Sequence, residues 1–180
     1  MYTINENTLE LRELSEQAWI LQAQDTEGAT DPDISLMVID DVKTIFDGLD
    51  QNGEQTYFLV KDGENYGCAI LKITHAAPSK NKQWLKLLKI HLEPRLEAVK
   101  DLRAHVNLKQ VMEVLAWAIL KTIDFTFSKE INTVKIYGRT DRMLIMFESL
   151  LAIDKFSSDL SSHKLKGRTE GRWLLIERIT

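Results

Sequence analysis

The chain of 180 residues is 44% hydrophobic and 28% charged, with a formal net charge of −4 and a sequence pI near 5.6. These values are ordinary for a single globular domain over residues 1–180, and the acidic pI argues against a dedicated nucleic-acid binder. The lone Cys68 excludes an internal disulfide, and no N-terminal run has the basic and apolar parts of a secretion signal, so we expect a cytoplasmic protein.

The first part of the chain predicts a short strand, a helix and a loop. Residues 2–5 fit a strand, and apolar residues at helical spacing then predict a helix that is capped by Thr8 and ends near Gln24. The polar, turn-rich residues 25–33 predict a loop. Residues 34–39 are apolar, but they are too few to separate a strand from a helix.

A second helix and a β-hairpin are predicted next. Residues 40–49 place their apolar side chains on one helical face, with Asp40 as the cap. The β-rich runs 57–60 and 66–74 flank a short connection that contains Asp-Gly, which is typical of a hairpin. A break at 76–82 is expected to end the second run.

The stretch 84–92 fits two kinds of secondary structure. Lys86 and Lys89 are three residues apart, which suits either an amphipathic helix or a strand with one extra residue. We expect the bulged strand, because Pro94 and the preceding hairpin favour an antiparallel meander. A helix at this position would instead indicate a different α+β fold.

The second half of the chain predicts a long buried helix followed by shorter elements. Asn107 is predicted to cap this helix, which ends near Phe127 and has too few consecutive apolar residues to span a membrane. The remaining predictions are a helical turn within 95–106, a strand at 133–137, a helix capped by Thr140 or Asp141 that ends at Leu151, a Ser-rich loop at 157–162 and a strand at 172–179.

Charge is distributed unevenly along these elements. Residues 1–55 carry 13 Asp and Glu against two basic residues, a local charge of −11, whereas residues 72–109 carry nine Lys and Arg against three acidic residues, a local +6. Either the basic segment binds an anionic ligand beside an acidic surface for a cationic one, or both segments are ordinary solvated faces that attract each other.

The order of the elements resembles that of the GNAT superfamily of acyl-CoA-dependent N-acetyltransferases over nearly the whole chain. The run Phe58-Leu-Val-Lys-Asp-Gly-Glu-Asn-Tyr-Gly67 is similar to the hairpin of that family, and Leu87-Leu-Lys-Ile90-His-Leu-Glu-Pro94 is similar to its fourth strand. The resemblance implies an α/β (α+β) fold in which helices flank a mixed, mostly antiparallel central sheet. It also implies acetyl-CoA or another acyl-CoA as the co-substrate.

The resemblance also implies where the coenzyme would bind. In the family, a glycine-rich loop at a helix N-terminus binds the pyrophosphate, and the matching segment here is Arg103-Ala-His-Val106-Asn-Leu108, with Val and Leu in the glycine positions. The tyrosine that protonates the departing thiolate aligns with Phe147, which has no hydroxyl. Strand backbone would bind the pantetheine at His91 and Leu92. The implied cofactor-binding residues are His91, Leu92, Arg103, Val106, Asn107, Leu108 and Lys109.

Three residues are candidates for catalysis. His91 and Glu93 are two residues apart at a strand end, so they share a face and could take a proton from an acceptor amine. The alternative is a polar strand end that is exposed beside Pro94. Tyr137 ends another strand, where ligand sites of α/β proteins often lie.

Other conspicuous residues predict structural roles. The four histidines lack the spacing of metal ligands, so no metal site is expected, and Cys68 is predicted to be a packed thiol. The four tryptophans lie in different elements, which predicts core packing and not a platform for nucleic-acid bases. They are Trp19, Trp84, Trp117 and Trp173.

Two functions from different classes remain open. The first is transfer of an acetyl or other acyl group from acyl-CoA to a small-molecule or peptide amine. The second is a catalytically inactive binding or assembly module with the same fold. The missing glycines and tyrosine favour the module, whereas the basic residues at the expected phosphate end favour the enzyme. In either case we expect no nucleic-acid and no membrane partner, and a homodimer is left open.

Overall fold

The computed structural model describes residues 1–24, 32–49, 54–79, 82–97 and 105–179. The strands are β1 (Tyr2–Glu6), β2 (Gln55–Lys61), β3 (Gly67–Ser79), β4 (Lys82–Leu92), β5 (Thr133–Tyr137), β6 (Leu165–Glu170) and β7 (Trp173–Arg178). The helices are α1 (Leu9–Gln24), α2 (Pro32–Asp47), α3 (Pro94–Glu97), α4 (His105–Ser128), α5 (Asp141–Ala152) and α6 (Asp154–Ser162).

Within these residues the strands form one seven-stranded sheet in the order β1-β2-β3-β4-β5-β7-β6. The pair β4–β5 is parallel, whereas β1–β2, β5–β7 and β6–β7 are antiparallel. The predicted fold class, a mixed and mostly antiparallel central sheet flanked by helices, is therefore confirmed. None of the described helices has both the length and the apolar character that crossing a membrane requires.

The chain folds into two compact units. The first unit consists of residues 1–72 and 90–121, and the second of residues 73–89 and 122–180. Each unit contributes its own buried side chains. The single domain expected from the sequence stays a prediction.

The core of the first unit is built around aromatic rings from α1, α2 and β2. Trp19 meets Phe46 edge to face at a centroid distance of 5.4 Å, and Phe46 stacks on Phe58 at 6.2 Å. Val42 and Ile70 join the same buried cluster. Burying each such side chain contributes about 1.5–3 kcal/mol.

Polar bonds attach α1 to the start of β3. Gly67 N donates to Ser15 Oγ at 2.8 Å, and Trp19 Nε1 donates to Gly67 O at 2.7 Å. Residue 67 has no room for a side chain, because an added Cβ would lie 2.4 Å from Phe58 Cδ1. The predicted cap of α1 is confirmed, since Thr8 Oγ1 accepts from Leu11 N at 3.2 Å.

The second unit ends in the hairpin β6–β7, whose turn contains Gly171 with a φ of +57°. This positive φ suits glycine because it has no Cβ. On one face of this hairpin, Gly167 lies close to Leu151 of α5 and Leu160 of α6. The two helices thus cover one side of the sheet in this unit.

Several predicted elements are confirmed with small shifts at their ends. The strand 133–137, the hairpin of β2 and β3 and the capping of α5 by Thr140 are as expected, and the Thr140 hydroxyl accepts from Met143 N. The stretch 84–92 is a strand and not a helix. The extra residue expected within this strand stays a prediction.

Other boundaries were wrong. Residues 34–39 belong to α2, so Asp40 lies inside this helix and does not cap it. Asn107 likewise lies inside α4, which begins at His105. The break expected at 76–82 is shorter, because β3 continues to Ser79. In each case the neighbouring helix or strand extends further along the chain than the local pattern indicated.

The predicted Ser-rich loop at 157–162 is a helix. In α6 the Ser157 hydroxyl donates to Leu151 O and the Ser161 hydroxyl donates to Ser157 O, so the serines bond to nearby carbonyls without breaking the helix. Leu160 is buried and anchors the helix. The sequence interpretation also missed β6, which pairs with β7 along its full length.

Candidate functional site

The end of β4 leads directly into a buried acidic residue. β4 ends at Leu92, and Pro94 begins α3, a position that tolerates proline because a first-turn N–H needs no helical partner. Between them, Glu93 N donates to Cys68 O at 3.0 Å and Glu93 O accepts from Leu96 N at 2.9 Å. The backbone of Glu93 is therefore held on both sides.

The side chain of Glu93 is buried, with 8% of its residue surface exposed. Gln22 Nε2 donates to Glu93 Oε2 at 2.9 Å. Gln22 lies on the same face of α1 as Ser15 and Trp19, because residues four and seven positions apart align along a helix. The face of α1 that contacts Gly67 thus also supplies the donor to Glu93.

A tyrosine and an arginine continue this network. Arg95 Nη2 donates to Tyr66 OH at 3.0 Å, and Gln22 Nε2 also lies 3.5 Å from this hydroxyl. Burial raises the pKa of the Tyr66 phenol, the Glu93 carboxylate raises it further, and Arg95 counteracts both. Tyr66 therefore stays a neutral hydroxyl at physiological pH.

Two more weakly acidic groups lie near Glu93. Burial, assisted by the charge of Glu93, raises the pKa of the Cys68 thiol to about 12. Burial raises the pKa of Tyr2 to about 12 as well, with Glu113 and other acidic groups as further causes. Because thiolate is the nucleophilic form, Cys68 is a packed thiol, as predicted, and not a nucleophile.

The hydrogen-bond donor to the Glu93 carboxylate is the neutral amide of Gln22. Among the residues that the structure describes, no Lys, Arg or His forms a salt bridge with this carboxylate. Buried carboxylates are usually paired with a cation, so a carboxylate held by an amide is uncommon for a purely structural group. Such a group can accept a proton from a bound amine.

The structure brings some of the predicted cofactor-binding residues near this site. His91 is half-buried and Leu92 is buried, both in the last part of β4. The parallel ladder with β5 ends at the pair Leu87–Ile136, whereas β4 runs on to Leu92. The prediction that the backbone at His91 and Leu92 binds pantetheine stays a prediction.

The remaining predicted coenzyme residues belong to the start of α4. Val106, Asn107 and Leu108 lie in its first turns, and Lys109 follows with an exposed side chain. Arg103 lies outside the described residues. The first turn of α4 carries no acidic residue, and the N-terminus of a helix has a partial positive charge that favours anions.

Tyr137 and Phe147 belong to the second unit. Tyr137 ends β5 and packs against Trp173 at a centroid distance of 4.9 Å. Phe147 is fully buried, and its Cε2 would lie 3.0 Å from a Cβ at Gly138. The residue that aligns with the tyrosine of the family is therefore part of the core, and it offers no hydroxyl to a leaving group.

The sequence interpretation had assigned no role to Gln22 or Tyr66. The signal for Gln22 was present, because Ser15, Trp19 and Gln22 form a stripe at helical spacing that combines polar and aromatic residues. The exposed strand end that was the alternative for Glu93 is not observed, because Glu93 is buried and its carboxylate is bonded to Gln22 of α1. No group of three or more His, Cys, Asp and Glu among the described residues could hold a metal ion.

No protein-family model and no curated protein sequence matches this chain. Similar solved structures include a probable acetyltransferase with 15% identity, which covers 81% of this chain and 86% of that chain at a TM-score of 0.42. A putative acetyltransferase of the GNAT family from Desulfovibrio desulfuricans has 8% identity, 98% and 97% coverage and a TM-score of 0.39. AtaT complexed with acetyl-methionyl-tRNAfMet has 10% identity, 98% and 95% coverage and a TM-score of 0.37.

The expectation that nucleic acid is excluded as a partner was wrong. One of the matching structures is itself a complex with a tRNA. The physical reason is that the pI of the whole chain averages over two units whose net charges have opposite signs. The second unit carries 14 Lys and Arg against 8 Asp and Glu, a formal +6, whereas the first carries 9 against 19, a formal −10.

Proposed function

We propose that the chain is an acyl-CoA-dependent N-acyltransferase in which Glu93 is the general base. The observation that carries this proposal is the buried Glu93 carboxylate at the end of β4, hydrogen-bonded by Gln22 and without a salt bridge among the described residues. The acceptor is a primary amine, which is protonated at neutral pH and must lose a proton before it can attack.

The start of α4 suits the phosphates of the co-substrate. Its first turn has no acidic residue, and free N–H groups at a helix N-terminus favour an anion. Lys109 adds an exposed cation one turn further along. The sequence before α4 contains two basic residues, Lys100 and Arg103, and one acidic residue, Asp101.

Each residue of the site has a defined role in the proposed reaction. Gln22 orients the Glu93 carboxylate, which removes a proton from the acceptor ammonium, and the backbone near Leu92 orients the thioester carbonyl. The deprotonated amine attacks the thioester carbonyl of acyl-CoA, so the C–N bond forms, the C–S bond breaks and CoA leaves as a thiolate that takes a proton from solvent. The Arg95–Tyr66 pair borders the carboxylate and limits the orientations of the amine.

A second candidate is an inactive binding module, which the fully buried Phe147 favours. Calorimetric titration with acetyl-CoA separates the two functions. We expect micromolar binding, about −8 kcal/mol, that is lost when Arg103→Ala and Lys109→Ala are combined. An absence of heat and of any thermal shift at millimolar CoA contradicts the enzyme and supports the module.

Activity is measured as free thiol released from acetyl-CoA with a lysine peptide or spermidine as the acceptor. We expect Glu93→Gln to bind acetyl-CoA normally and to release thiol at least about 100-fold more slowly. Glu64→Gln is the matched control, because Glu64 is exposed in the β2–β3 turn. Equal rates for both variants would remove Glu93 from the mechanism.

A further inference from the structure

The second unit presents a sheet face on which aromatic and basic side chains lie together. The ladders place Trp84 and Lys86 of β4, Lys135 and Tyr137 of β5 and Trp173 of β7 on one side of the sheet. Buried residues such as Leu85 and Val134 point to the other side. All five side chains of this aromatic–basic face are partly exposed, so the patch is reachable from solvent.

The cations of this face lie against its rings. Lys135 Nζ is 4.6 Å from the ring centroid of Trp84, and Lys86 Nζ is 5.8 Å from the centroids of both Trp84 and Trp173. Tyr137 extends the row of rings by its contact with Trp173. The same π surfaces that attract a cation also stack on a planar base.

Lys86 and Lys135 have no acidic partner among the described residues of this face, because Glu177, which the ladder places on the same side of the sheet, is paired with Arg168. Lys86 and Lys135 are direct cross-strand partners, an arrangement in which like charges repel. Within the part of the chain that the structure describes, neither ammonium forms a salt bridge, and the buried Nε1 of Trp84 has no hydrogen-bond partner. A ligand that carries negative charge satisfies both ammonium groups.

The charge of the whole unit points to the same kind of ligand. Its formal +6 contrasts with the −10 of the first unit. A field of this sign raises the local concentration of polyanions and speeds their association. Charge complementarity therefore selects an anionic partner, and the exposed rings select one with planar groups.

We infer that the aromatic–basic face binds single-stranded nucleic acid. Two successive bases stack on Trp84 and Trp173, while Lys86 and Lys135 leave the rings and contact the phosphates. In a duplex the faces of the bases are stacked on one another, and an acidic peptide has no bases. Neither ligand can therefore stack on Trp84 and Trp173. This inference is independent of acyl transfer, because it involves neither Glu93 nor the start of α4.

Fluorescence anisotropy with a fluorescein-labelled oligouridine of about 12 nucleotides tests the inference. At roughly 50 mM salt we expect a dissociation constant on the order of 10 µM and a fall in affinity as salt is added. Combining Lys86→Glu with Lys135→Glu should weaken binding at least about tenfold and reduce the slope of log affinity against log salt by about 1.4. The matched control is Lys121→Glu, because Lys121 Nζ lies 5.5 Å from the ring of Trp117 in the first unit.

The role of the rings is tested separately from that of the charges. Trp173→Leu should weaken binding about tenfold, whereas Trp173→Phe retains a stacking surface and most of the affinity. Circular dichroism and melting temperature verify that each variant is folded before it is titrated. Three results would overturn the inference: no binding at about 100 µM protein, equal affinity for a duplex of the same length, or an equal loss in the Lys121→Glu control.

Discussion

Gln22 Nε2 donates to Glu93 Oε2 across 2.9 Å, in the interior of the first unit. This hydrogen bond joins two residues 71 positions apart, one in the middle of the acidic N-terminal part of the chain and one at the end of β4. Each side chain satisfies the other where water has little access. The pair therefore links the folding of α1 to the geometry of the candidate base.

A double-mutant cycle measures this link. Gln22→Ala and Glu93→Ala should each lower the free energy of unfolding by about 1–3 kcal/mol, because each leaves a buried partner unsatisfied. The double variant should lose less than the sum, with a coupling of about 1 kcal/mol in urea denaturation. The exposed pair Thr3 and Asn5, at 3.2 Å, is the control and should show no coupling. Strict additivity for Gln22 and Glu93 would contradict the hydrogen bond.

Two glycines should be sensitive to substitution for different reasons. Gly67→Ala should destabilise by about 1–3 kcal/mol through overpacking, since its Cβ would meet Phe58 Cδ1 at 2.4 Å. Gly63→Ala should cost about 1 kcal/mol through backbone strain alone, since its φ is +89° and nothing lies within 4 Å of the added atom.

The cause in each case is identified by a second substitution. Shortening the neighbouring ring with Phe58→Leu should recover part of the loss caused by Gly67→Ala and none of the loss caused by Gly63→Ala. Thermal denaturation of the four combinations provides the comparison. Equal recovery for both glycines would show that packing against Phe58 is not what restricts position 67.

Alkaline pH should weaken the fold through Cys68. Its pKa is raised by burial from 9.0 to about 12, so its contribution to stability is complete below pH 9 and is lost as pH rises through the folded-state value. Between these pH values the unfolded chain releases a proton that the folded chain retains, which lowers stability by up to about 1.4 kcal/mol per pH unit. Urea denaturation at several pH values should show a shallower decline for Cys68→Ala.

Chemical modification checks the same thiol directly. The folded protein at pH 8 should react with an aromatic disulfide reagent far more slowly than the denatured protein, because both burial and the neutral thiol suppress attack. Rapid reaction of the folded protein would mean that Cys68 is accessible, contrary to its position in the structure.

The N-cap residue of α5, Thr140, should make a measurable contribution to the stability of the protein. Thr140→Ala should reduce stability by about 1 kcal/mol, because the hydroxyl that accepts from Met143 N is lost. Thr140→Ser keeps the acceptor and should restore most of the difference. Thr169→Ala on the exposed β6 is the control, expected within about 0.5 kcal/mol of the wild type. A Thr140→Ser variant as unstable as Thr140→Ala would assign the effect to the lost methyl group.

Local sequence patterns predicted most elements of the fold, because the local preferences of those segments agree with the structure that they adopt. The Asp-Gly connection marked the hairpin of β2 and β3, and the position of Thr140 marked the start of α5. The failures occurred where local preference is weak and packing decides. The serines of α6 favour a loop until Leu160 is buried and the hydroxyls bond to helix carbonyls.

The candidate site was predictable only in part. Glu93 was identified from its position beside a strand end, but its burial depends on Gln22, which is distant in sequence. The proximity of Trp84 and Trp173 likewise depends on the order in which β4, β5 and β7 pair. Periodicity reports which face of one element is apolar, and it carries no information about which element lies opposite.

Gly67 has a consequence for how this sequence can vary over evolution. Both of its peptide groups are bonded to side chains of α1, the N–H to Ser15 and the carbonyl to Trp19. Loss of either side chain leaves a buried peptide group without its hydrogen-bond partner, and a larger residue at position 67 collides with Phe58. We therefore expect substitutions at positions 15, 19 and 67 to occur together in related sequences, because these three residues jointly attach α1 to β3.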